Sequence, residues 1–178
     1  MKHLYLLFLF ISFTGFSQDK YLTKSGLLNF EASVEAFEEI KATNDNVTAI
    51  LNTANGQFAA LALVKGFRFK NALMEEHFNE NYAESDEFPK AIFKGELTEF
   101  SLESLQNSYS INGTLTFHGV TKALENVSVE LTPSENGFNF KGFFEIAPND
   151  FDVEIPSIVS SKIAETVTVV FNFELIKK

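Results

Sequence analysis

Cysteine is absent from the 178 residues, so thiolate nucleophiles, disulfides and thiolate metal sites are all ruled out. The side chains that could do acid–base or metal chemistry are therefore few. His77 and Glu80 stand at an HxxE spacing inside a helical pattern. That spacing would suit a metal or a proton-transfer pair, but it turns Glu80 toward the charged side of the helix. His118 stands at a strand end beside Gly119, where it reads as a hydrogen-bonded turn residue or as a polar contact at the mouth of a barrel. Asp150, Asp152 and Glu154 share one parity and could chelate a hard cation. They lack the glycine turn and the ligand spacing of a calcium loop, and read as a solvated strand face. Ser157, Ser160 and Ser161 have no base nearby in sequence, and no Gly-x-Ser-x-Gly elbow occurs. These residues make no persuasive catalytic set. The chain reads as a non-enzyme, and no cofactor is called for.

The elements that would position such side chains are mostly strands. In YSINGTLTFHGVTK, residues 109–122, Tyr109, Ile111, Leu115 and Phe117 alternate with polar residues, which places them on one face of a strand. Gly119 permits a sharp turn, and Val127–Leu131 follows as a second arm. Similar alternation marks Leu28–Val34, Val47–Asn52, Phe58–Val64, Lys90–Phe100, Phe138–Ile146 and Thr166–Ile176. Between Asn71 and Tyr82 the period changes. Leu73, Met74, His77 and Phe78 form a helical stripe, with Asn71 as the expected N-cap. Ser157–Ala164 reads as a second short helix beyond Pro156. About eight strands at short spacing with one or two short helices argue for a mainly β chain, an antiparallel sandwich or closed barrel. An eight-stranded barrel can fill its interior or hold one small ligand.

Residues 1–17 read as a secretory signal peptide. Lys2 opens it, an apolar run follows from Leu4 to Phe13, and small residues at Gly15 and Ser17 suit cleavage after Ser17. The run is too short to span a bilayer comfortably, so the expectation is one exported domain over residues 18–178, periplasmic or secreted, without stable membrane insertion. The mature chain would carry 13 basic and 24 acidic residues, a net charge of −11. Such a surface disfavours nucleic acid as a partner. A homodimer stays open on these observations.

Phenylalanine is the compositional outlier. Seventeen of 21 remain after the signal, with no Trp. They could pack a strand-rich core or line a cavity for a long apolar ligand, and composition does not separate the two. If the apolar parity faces inward, Phe30, Phe58, Phe93, Tyr109, Phe117, Phe140, Phe144, Phe171 and Phe173 converge on the lumen as candidate ligand-binding residues. Gly95, Gly113 and Gly142 share that parity and could give curvature or leave space.

The segment LTFHGVTK, residues 115–122, resembles the hairpin motif of the YceI-like family. Phe88-Pro89-Lys90-Ala91-Ile92-Phe93 is similar to that family's entry into a strand after its helix. Asn149–Val153 and Val167–Phe171 are similar to its late extended segment and last strand. The resemblance spans roughly residues 26–176. It departs before the helix, where many members carry Arg-Asp, and in the first strand, which offers Glu31 and Glu35 in place of a His. It implies an exported, lipocalin-like barrel that binds polyisoprenoids or related lipids, as a carrier or by sequestration. The competing expectation is a structural or interaction barrel with a filled core and no ligand.

Overall fold

Alternation along residues 109–117 is what the structure displays: Tyr109, Ile111 and Leu115 are buried while Asn112 and Thr114 face out. The computed structural model describes residues 20–178, and the segment read as a signal peptide lies outside them. The elements are β1 (Lys20–Ser33), β2 (Lys41–Asn52), β3 (Gln57–Leu63), β4 (Arg68–Phe69), α1 (Ala72–His77), β5 (Lys90–Leu97), β6 (Ser108–Phe117), β7 (Val120–Ser134), β8 (Gly137–Ile146) and β9 (Ile163–Lys177). The helix runs on through a wider turn, Phe78–Tyr82. Neighbouring strands pair in the order β1-β9-β8-β7-β6-β5-β3-β2, and β1 pairs β2 to close the ring. The two-residue β4 joins only the margin of β2. The fold is thus a closed antiparallel barrel of eight strands, which leaves no long sheet edge unpaired.

Two turns show how sequence sets the connections. His118 and Gly119 both take positive φ, 48° and 74°, the pattern of a two-residue hairpin turn whose twist matches its strands. Asn126, at φ 55°, marks a bulge. There β7 gains a residue on β6, because Ile111 faces Val127 and Gly113 faces Leu124. The bulge hides the first part of β7 from a period-two reading, and the strand starts at Val120 rather than Val127.

The expected second helix is not formed. Ser160–Lys162 make a single 3-10 turn and β9 begins at Ile163. Pro156, with no donor N–H, and the three serines favour turns over a continued helix. Asp150, Asp152 and Glu154 do not form a strand face either. Pro148–Phe151 is a 3-10 turn and Asp152 is left-handed at φ 55°. All three acidic groups face solvent, while Phe151 and Val153 between them are buried against Leu115.

Candidate functional site

The barrel interior divides into two regions. At the end closed by the β2–β3, β5–β6 and β7–β8 connections, aromatic rings fill the lumen. Phe58 and Phe140 stack at 4.4 Å, Phe140 and Phe171 at 5.7 Å, and Phe171 and Phe173 at 5.5 Å between centroids. Glycines make room for these rings. An added Cβ at Gly26 would meet the Phe173 ring at 2.4 Å, and one at Gly142 would meet Phe171 at 2.8 Å. Gly95 and Gly113 pair directly across β5 and β6 beneath the Phe93 ring, which lies 2.9 Å and 2.7 Å from their would-be Cβ atoms. The space that these glycines leave is occupied. A void of about 60 Å³ lies beside this block.

Toward the other end lies a cavity of about 440 Å³. Its walls carry Phe30, Phe117 and Phe144 together with small and branched apolar residues, among them Ala32, Ile146 and Val169. It reaches solvent between the β1–β2 loop, the helix and the β8–β9 connection, where Phe37 is 45% exposed. The helix forms one side of the mouth. Asn71 caps it, its side chain accepting from Leu73 N at 3.0 Å. Glu75 ties it to β4 through Arg68 Nη1 at 2.9 Å and Phe69 N at 3.1 Å. Met74, His77, Phe78 and Tyr82 line the cavity, whereas Leu73, expected on the same stripe, is exposed. Phe78 packs against Phe30, Phe67 and Phe69 at centroid distances of 5.3, 5.9 and 5.2 Å. These rings lean on one another along the wall instead of meeting across the lumen.

The candidate ligand residues therefore fall in different surroundings. Phe30, Phe117 and Phe144 border the large cavity, while Phe58, Phe93, Phe140, Phe171 and Phe173 surround the small void, as Phe144 also does. Tyr109 borders neither. It sits at the closed end, with its hydroxyl accepting from Gln106 N at 2.7 Å and its ring against Phe100. Among the lining residues not singled out as ligand-binding from sequence are those of the mouth, such as Phe37, Ile40, Phe151, Val153 and Val159. They come from loops, where no period marks an inward side.

Polar groups are sparse in the cavity: Glu38, His77 and Lys162 lie toward its rim. Among the described residues no three His, Asp or Glu side chains gather as a metal site. His118 is not a cavity residue. Its Nδ1 lies 2.9 Å from Phe151 O and its Nε2 2.8 Å from Glu84 Oε2. Its ring also meets the Phe88 ring at 4.6 Å. Because a carbonyl oxygen can only accept, Nδ1 donates there. His118 so pins the segment after the helix to the β8–β9 connection, with 10% of its side chain exposed.

No helix among the described residues is long and apolar enough to cross a membrane. No curated protein sequence matches the chain. Several solved structures share its fold at low sequence identity, and three illustrate the match. A polyisoprenoid-binding domain from Saccharophagus degradans, implicated in plant cell wall breakdown, superposes with a TM-score of 0.75 at 16% identity, over 89% of this chain and 98% of that one. BcnA from Burkholderia cenocepacia gives 0.70 at 17% identity, over 85% and 96%. A YceI protein from Campylobacter jejuni gives 0.64 at 14% identity, over 80% and 86%. The sequence profile of the YceI-like domain matches residues 20–175, the whole barrel from β1 into β9, and the chain belongs to the YceI-like family.

Proposed function

We propose that this protein is an exported, non-enzymatic lipid-binding barrel that takes an apolar chain of isoprenoid type into its open half, to carry it or to sequester it. One observation carries the reading: a largely apolar cavity of about 440 Å³ with a solvent-facing mouth, within the size range of ligand sites. A hydrocarbon chain entering it leaves water at about 0.8 kcal/mol per methylene. No bond is made or broken. The S. degradans structure, described as a polyisoprenoid-binding domain, supports the ligand class. The short apolar N-terminal run supports export.

Native mass spectrometry before and after solvent extraction tests this. We expect an added mass that disappears on extraction and returns with an added prenol. A bare chain that takes up no prenol would instead favour a barrel whose function does not involve its lumen.

A further inference from the structure

The large cavity and the small void adjoin within the lumen. Leu28 of β1, Ala91 of β5, Leu115 of β6 and Phe144 of β8 line both spaces, so four strands contribute one inward side chain each to a septum across the lumen. Phe144 is the largest of them, and it packs toward Phe171 with ring centroids 6.4 Å apart. Beneath Phe171 the wall is Gly142, so the floor ring is seated against backbone and cannot sink further.

We infer that this septum, with Phe144 as its principal member, sets the length of apolar chain that the protein accepts; the inference rests on the lipid-binding reading above. A water-sized group occupies about 30 Å³ in a condensed phase. The cavity of about 440 Å³ then holds about 15 chain carbons, or about three isoprene units. A longer prenol must leave its excess outside the mouth, in water, where added carbons gain little. Removing the Phe144 ring would join the void of about 60 Å³ to the cavity and admit about one further unit.

The test uses purified, delipidated protein titrated with geraniol, farnesol, geranylgeraniol and geranylfarnesol below their solubility limits. Burial of each methylene is worth about fourfold in affinity. Wild type should therefore gain at least about tenfold from geraniol to farnesol and change by less than about threefold beyond farnesol. In Phe144→Ala the break should move by one unit, with geranylgeraniol binding at least about tenfold tighter than farnesol. Should that variant fail to fold, Phe144→Leu should shift the break in the same direction by a smaller amount. Affinity that climbs without a break past geranylgeraniol in wild type, or an unmoved break in a folded Phe144 variant, overturns the septum and leaves the lipid reading standing. Binding of no prenol at all overturns the lipid reading and the septum with it.

Discussion

The closed and open halves of this barrel are built from the same strands and the same favoured residue, yet one is solid and the other hollow. The difference lies in what stands beside the phenylalanines. In the closed half, Gly26, Gly95, Gly113 and Gly142 offer bare backbone on which rings from neighbouring strands lie flat, so the rings reach the axis and stack. In the open half, Phe30 shares its surroundings with Phe67, Phe69 and Phe78, and these rings hold one another and the helix against the wall. Beside Phe30 on β1 and the adjoining β9 stand Ala32, Val167 and Val169, side chains too short to reach into the lumen. The number of phenylalanines does not decide whether a barrel is filled; the placement of glycine does.

The sharpest way to break this comparison is to remove one ring from each half. Phe140 is fully buried at the centre of the stack, and Phe140→Ala should cost about 3–5 kcal/mol in denaturant unfolding. Phe117→Ala, beside space already vacant, should cost clearly less; equal losses would mean that the open half is packed too. Adding atoms gives the next largest effect. A Cβ at Gly113 would lie 2.3 Å from Lys94 O as well as against Phe93, so Gly113→Ala should destabilise by about 1–3 kcal/mol. A stable Gly113→Ala would show that the ring is not seated on the glycine. His118→Ala removes both hydrogen bonds of the corner latch and should cost about 1–2 kcal/mol. Faster amide exchange should accompany it near residues 84 and 152. Smallest in stability is Val167→Phe, which adds a ring to the open half. The melting temperature should hardly move, while prenol affinity falls at least about tenfold as the cavity fills.

Much of the barrel was legible in sequence because period-two alternation is a local signal. The inward sides of β5, β6, β8 and β9 follow directly from it. The helix was legible through Met74, His77 and Phe78, although Leu73 turns outward. What escaped was non-local. The bulge at Asn126 breaks the parity of β7, and Asp150, Asp152 and Glu154 keep a strand-like spacing while a left-handed Asp152 bends the backbone. Whether Gly95 and Gly113 leave room or seat a ring depends on their being paired across β5 and β6. Neither strand alone reveals that register. The mouth loops carry no period, so Phe37, Phe151 and Val159 could not be assigned to the cavity from spacing.

A crystal structure of the delipidated protein soaked with farnesol addresses the central claim most directly. We expect an extended chain in the open half, touching Phe30, Phe117 and Ile146 and stopping at Phe144. Farnesol bound only on the outer surface, or an open half collapsed onto its own side chains, would contradict the account.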